Sequence, residues 1–256
     1  MKIAVSGKGG VGKSTIASII ALMFAERGNR VLALDADPDA NLASSLGIPL
    51  RERRRIVTIS QQIDLIEERT GAKVGQYGQV FKLNPDVSDV ADHYAYKHRG
   101  VSLLVLGAVK AGGSGCACPE NTFVRALVND LVLFKGDALI MDMEAGIEHL
   151  GRATSQGVDA MLVALEPGQR AVDCALLVER MSKEIRIKRI LFVANKITGE
   201  DDIAFVQEAL PNREILAFLP YTGALKNADR DGVSPYDCLD GETRCQYSEI
   251  LKRLES

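Results

Sequence analysis

The chain has 256 residues, the length of one large domain or two small ones. Hydrophobic residues make up 46% and charged residues 25%, a balance that excludes a disordered chain, a collagen-like fibre and a coiled coil. With 31 Lys and Arg against 34 Asp and Glu, the net charge of -3 leaves no electrostatic reason to coat nucleic acid or an anionic membrane. Short, continuous apolar runs at residues 2–5, 30–34, 103–106, 138–141, 160–165, 190–194 and 215–219 predict strands buried on both faces. Between them, residues 14–27, 121–134, 170–183 and 201–210 carry apolar residues at helical spacing. This alternation predicts an α/β fold, an open and mostly parallel sheet with helices on both faces. Tyr247, Ile250, Leu251 and Leu254 then form the single stripe of a docking helix. Charges across residues 241–256 cancel, unlike those of a basic membrane-targeting helix.

No repeat, low-complexity tract or Pro-rich linker divides the chain, so one domain over residues 1–256 is expected. Residues 51–100 lack clean periodicity and read as an elaborated insertion, with Arg51, Arg53, Arg54 and Arg55 as solvated surface. The longest apolar stretch, residues 16–25, is half of the ~20 residues that a membrane-spanning helix needs. Lys8 and Lys13 break the N-terminal segment where a secretion signal would be apolar. Five cysteines, an odd number, argue for reduced thiols. A cytoplasmic protein is expected.

Gly7-Lys8-Gly9-Gly10-Val11-Gly12-Lys13-Ser14 fits the phosphate-binding pattern G-x-x-x-x-G-K-[ST], between a predicted strand and a predicted helix. Glycines let backbone N–H groups turn inward around phosphate, and the helix N-terminus adds partial positive charge. Lys13 would neutralise the β- and γ-phosphates, and the Ser14 hydroxyl would face Mg²⁺. The domain therefore reads as a P-loop NTPase. Asp35 and Asp37 lie just past the second strand, and Asp142 ends the strand at 138–141, where it would hold Mg²⁺ through water. Gly146, four residues on, would offer a backbone N–H to the γ-phosphate. All lie at the carboxyl ends of strands, where open α/β sheets bind ligands.

Lys8 is the unusual feature of the loop. Gly-Lys-Gly-Gly-Val-Gly-Lys-Ser-Thr, ending at Thr15, resembles the deviant P-loop of the MinD/ParA/iron-protein class of ATPases. The resemblance implies a homodimer in which Lys8 reaches the partner's nucleotide, while Asp37, the aspartate before Pro38, orients the attacking water. The base follows from Asn195-Lys196-Ile197-Thr198, which sits after a strand as the guanine-reading Asn-Lys-x-Asp does. Thr198 offers no carboxylate for guanine, so ATP is expected, with Asn195 facing the adenine beside Lys196, Pro220 and Tyr221.

Cys116-Ala117-Cys118 places two thiols on the same side of an extended backbone, and soft thiolates select Ni²⁺, Zn²⁺, Cu⁺ or iron–sulfur clusters. Two ligands leave such an ion half coordinated, and a second chain would supply the other pair. Cys174, Cys238 and Cys245 read as core or surface thiols, and His93, His98 and His149 lack metal-ligand spacing. The motif Gly-Gly-Ser-Gly-Cys-Ala-Cys-Pro-Glu-Asn at 112–121 resembles that of the CooC-type accessory ATPases, as do Asp142-Met143-Glu144-Ala145-Gly146 and Asp35-Ala36-Asp37-Pro38-Asp39-Ala40-Asn41-Leu42. That family inserts nickel into carbon monoxide dehydrogenase, and the related AcsF-type proteins serve acetyl-CoA synthase. The resemblance implies a nickel metallochaperone whose client is one of those enzymes, with Zn²⁺ able to replace Ni²⁺. Two other readings share the P-loop. One is an iron–sulfur carrier ATPase, whose relatives use C-x-x-C or separated cysteines. The other is a spatial-partitioning ATPase that needs no metal, against which the acidic charge and neutral C-terminal helix speak.

Overall fold

A computed structural model of the chain describes residues 1–76, 78–107, 118–134, 138–145, 150 and 157–256, the side chains of 133 and 134 excepted. Eight strands form one sheet: β1 (Lys2–Gly7), β2 (Val31–Asp35), β3 (Tyr96–His98), β4 (Val101–Val105), β5 (Ala138–Asp142), β6 (Ala160–Leu165), β7 (Ile190–Ile197) and β8 (Ile215–Pro220). Their spatial order is β3-β4-β2-β5-β1-β6-β7-β8. Every pairing is parallel except that of β3 with β4. Central strands are buried along nearly their whole length, β5 and β6 at every residue, which is why their sequence runs are continuous rather than alternating.

The antiparallel strand β3 has no apolar run to announce it. Its three residues are half-exposed or exposed, and a two-residue turn at Arg99 and Gly100, both at positive φ, returns the chain into β4. Among the described residues, 51–100 otherwise hold short helical turns, of which the helix Ile63–Thr70 is the longest.

The longer helices are the P-loop helix at Lys13–Glu26, the linker helix at Pro119–Phe134 and, after β6, the helices Gln169–Glu184, Glu200–Ala209, Gly223–Asp231 and Gly241–Glu255. The P-loop helix is buried at every position from Ile16 to Phe24, because it lies sandwiched between the sheet and the C-terminal segments. Crossovers run leftward from β1 to β2 and rightward from β6 through β7 to β8, and a right-handed connection then places helices on opposite faces of the sheet. The C-terminal helix buries Tyr247, Ile250, Leu251 and Leu254 against β8 and the P-loop helix, the predicted stripe. The direction of winding reverses at β1, and the crevice at that switch point opens at the carboxyl ends of β1, β2 and β5. Among the described residues no helix is long and apolar enough to cross a membrane.

Candidate functional site

The loop from β1 to the P-loop helix is shaped by glycines that no other residue could replace. Gly7 has φ +152, and a Cβ there would meet the Ala164 carbonyl oxygen at 2.2 Å. Gly12 has φ +96, and a Cβ there would meet Asn195 Nδ2 at 2.3 Å. Gly12 is also the N-cap of the P-loop helix, with no capping side chain and no acidic residue in the first turn. The first N–H groups of the helix and its dipole therefore face the pocket unscreened.

Two side chains at the end of β7 hold the loop from behind. Asn195, buried, donates from Nδ2 to the Val11 carbonyl at 2.8 Å, and Lys196 donates from Nζ to the Gly10 carbonyl at 2.6 Å. With those carbonyls anchored outward, the intervening N–H groups turn toward the pocket. Lys196 also pairs with Glu166 at 3.2 Å, and Lys8 lies 3.9 Å from the same carboxylate. Asn195 thus braces the phosphate loop while lining the pocket that Pro220 and Tyr221 also line. Thr198 donates from its backbone and its hydroxyl to Asp202 Oδ2, and neither residue lines that pocket.

Carboxylates close the other side. Asp35 and Asp142 stand at the ends of neighbouring strands in direct register, both with no exposed surface. Burial, then the nearby Asp142 and Asp37 charges, push the Asp35 carboxyl up to about 8, although it accepts from the N–H groups of Leu42 and Asp37 at 3.0 and 3.3 Å. Burial pushes Asp142 up to about 6, and Asp37 adds to this. Ser14 and Lys13 pull it back, the Ser14 hydroxyl being close by but outside a formed hydrogen bond. Among the described residues, neither Asp142 carboxylate oxygen has a hydrogen-bond partner, and both are buried. A buried acidic group left in this condition beside a hydroxyl suits a hard cation that takes oxygen ligands. Ser14 and Asp142 fit Mg²⁺, which asks the protein for only one or two ligands and takes the rest from phosphate and water. Lys13, 6% exposed, pairs with Asp37 Oδ2 at 3.3 Å. Asp37 itself is fixed by the Asp39 N–H, which donates to its Oδ1 at 3.0 Å.

These groups surround a cavity of about 400 Å³, lined among others by Gly9, Gly12, Lys13, Thr15, Asn195 and Tyr221. That volume lies in the range of small-molecule sites. Of the residues singled out in the sequence, Gly9, Gly10, Gly12, Lys13, Ser14, Thr15, Asp37, Asn195, Lys196, Pro220 and Tyr221 line it together. Asp35 and Asp142 stand behind it, buried, and Lys8 stands beside it on Glu166. Gly146 and Cys116 lie outside the described residues. Cys118 is half-buried at the residue before the linker helix. Cys174 is half-buried too, its thiol pushed up by burial and pulled back by Lys13 and Lys8.

Sequence reasoning missed Glu166 and most of the far wall of the cavity, where Ser44, Ser45, Leu225, Lys226 and Asp229 stand. Glu166 follows β6 directly, so the rule that ligands gather at carboxyl ends of strands could have found it. No motif marks the others.

Residues 2–236 match the CobQ/CobB/MinD/ParA nucleotide binding domain. The chain belongs to that family. It is a P-loop ATPase. It is 42% identical to the carbon monoxide dehydrogenase accessory protein CooC of Rhodospirillum rubrum, over 99% of this chain and 97% of that one. An uncharacterised ATP-binding protein of Methanocaldococcus jannaschii is also 42% identical, over 86% of this chain and 85% of its own length. Among solved structures, a ParA family ATPase from Chlorobium tepidum superposes with a TM-score of 0.69 at 18% identity, covering 98% of this chain and 97% of that one. MinD in the MinC:MinD cell division complex of Aquifex aeolicus superposes at 0.67, also with 18% identity, over 100% and 96%. At such identities the likeness is one of fold.

Proposed function

We propose that this chain is a homodimeric, Mg²⁺-dependent ATPase that couples its nucleotide cycle to the insertion of nickel into carbon monoxide dehydrogenase or acetyl-CoA synthase. The observation that carries the reading is the near full-length identity to CooC, in a chain that also has Cys116 and Cys118 two residues apart. Nickel is cargo here: two thiolates from each subunit enclose one ion between them.

In this mechanism the N–H groups at the start of the P-loop helix receive the β- and γ-phosphates. Lys13 leaves its 3.3 Å pairing with Asp37 and moves onto the phosphates. The same movement frees the Asp37 carboxylate to accept a hydrogen bond from the attacking water. Water oxygen bonds to the γ-phosphorus as the bond to the β–γ bridging oxygen breaks, giving ADP and inorganic phosphate. Ser14 and Asp142 would hold Mg²⁺, which when bound would supply positive charge against the charge that develops on the leaving group. Lys8 exchanges Glu166 for the partner's nucleotide, so two ATP molecules between two subunits favour a closed dimer. Hydrolysis removes that preference and opens the thiolate site for transfer.

The test is a nickel titration with mass measured alongside. The reading expects about one Ni²⁺ per dimer, coupled to dimerisation, and loss of tight binding in Cys116→Ser/Cys118→Ser with ATP hydrolysis retained. A tightly metallated monomer, or equal affinity in the double variant, overturns it. Reconstitution that yields an iron–sulfur chromophore in place of a mononuclear ion would favour the cluster-carrier reading.

A further inference from the structure

We infer that Glu166 is a latch on Lys8: its carboxylate holds the lysine within its own subunit and so sets how readily ATP draws two subunits together. The inference rests on the role in trans given to Lys8 above and deepens it, by naming the contact that this lysine must leave and the energetic bias which that contact imposes.

Three neighbouring strands bring the parts together. Gly7 lies opposite Ala164 in the parallel pairing of β1 with β6, and Leu165 lies opposite Ala194 in that of β6 with β7. Lys8, Glu166 and Lys196 follow these positions by one or two residues, so they emerge side by side at the carboxyl edge of the sheet. The close approach depends on Gly7, because a Cβ there would strike the Ala164 carbonyl. Lys196 stands where the pairing of β7 with β8 shifts register, and its φ of +61 is a left-handed turn that directs its amine to the phosphate loop.

The two lysines do not share Glu166 equally. Lys196 lies 3.2 Å from Oε2 and also donates to the Gly10 carbonyl at 2.6 Å, so it has two attachments. Lys8 lies 3.9 Å from Oε1, with its side chain 41% exposed. Among the described residues its Nζ has no hydrogen bond and no second ion pair. Lys8 is therefore the partner that can leave. Lys196 stays behind and keeps the Glu166 charge compensated, so the departure strands no anion. Glu166 cannot follow Lys8 to the partner's nucleotide, since phosphate repels a carboxylate. An exposed ion pair favours its closed form by up to about fivefold. That bias is small enough for two bound nucleotides to overcome. It also counts twice, because a closed dimer breaks the latch of each subunit, and two separate sites multiply their effects.

Sedimentation velocity of the full chain over a range of protein concentrations tests this, with Mg²⁺ and a non-hydrolysable ATP analogue at saturation. The variants are Glu166→Gln, Lys8→Ala and Lys8→Ala/Glu166→Gln. Gln keeps the size of the side chain, and thermal unfolding checks that each variant is folded. A twofold release per subunit means that Glu166→Gln should dimerise at a concentration about fourfold lower than the wild type. High salt, which screens exposed pairs, should narrow that gap. Lys8→Ala/Glu166→Gln should dimerise no better than Lys8→Ala. Unchanged or weaker dimerisation in Glu166→Gln overturns the latch, as does a gap that salt leaves intact. The same gain in the Lys8→Ala background also overturns it, since Glu166 would then act without Lys8. If every variant stays monomeric, or if Lys8→Ala dimerises as well as the wild type, the role of Lys8 in trans is refuted instead, which separates the two failures.

Discussion

Asp142→Asn tests the electrostatics of the site most directly, because it exchanges a buried charge for a neutral group of the same shape. The folded protein raises this carboxyl from 3.8 to about 6, chiefly by burial. The shift is roughly 2 pH units at 1.36 kcal/mol each, so ionised Asp142 opposes folding by about 3 kcal/mol above pH 6. The sign follows from proton binding. Between about pH 4 and 6 the folded chain holds this proton while the unfolded chain has lost it, so stability falls as pH rises through that window and then levels off. Asp35, raised to about 8, extends the fall to higher pH, and the Asp142 charge is one of its causes. The variant loses the Asp142 contribution and eases Asp35 as well. Its new amide adds a buried donor with a cost of roughly 1–3 kcal/mol, so the net gain at pH 8 is modest. The pH slope is the cleaner quantity. Between pH 5 and 8 the stability of the wild type should fall by about 1 kcal/mol or more beyond that of Asp142→Asn. Urea unfolding at both pH values, without Mg²⁺ or nucleotide, measures it. Identical slopes would refute the claim that this carboxylate is buried at a cost. In the same variant Mg²⁺-dependent hydrolysis should drop sharply, since the cation loses its anionic partner.

Other substitutions test the remaining parts of the site. Gly12→Ala places a methyl 2.3 Å from Asn195 Nδ2 at a φ of +96, and isothermal titration should show ATP affinity lowered at least about tenfold. Lys13→Ala should cut hydrolysis by about 10²-fold or more, read in a phosphate-release assay. Lys8→Ala should still bind ATP but lose hydrolysis and ATP-induced dimerisation, and light scattering that shows an unchanged ATP-bound dimer removes its role in trans. ATP should be preferred over GTP by about tenfold at subsaturating concentration, because Thr198 carries no carboxylate and Asp202 is engaged with it away from the cavity.

What the sequence by itself determined is whatever depends on neighbours along the chain. Seven strands were legible because parallel strands buried on both faces must be continuous apolar runs, and the phosphate loop was legible because glycines with a Lys-Ser pair act locally. The stripe from Tyr247 to Leu254 was legible for the same reason, its period being set by the helix alone. Strand β3 was not, since its three residues, Tyr96, Lys97 and His98, form no apolar run and are placed by pairing with β4 at the sheet edge. Asn195 shows the division most clearly. Its motif placed it at the nucleotide, but only the fold, by bringing β7 against β1's loop across 184 positions, turned its amide onto the Val11 carbonyl. The raised carboxyls of Asp35 and Asp142 likewise depend on parallel register, which sets the ends of two distant strands side by side inside the protein. Ser44, Leu225 and Asp229 joined the cavity wall through tertiary structure alone, because separate segments of the chain meet there and no spacing along the chain carries that information.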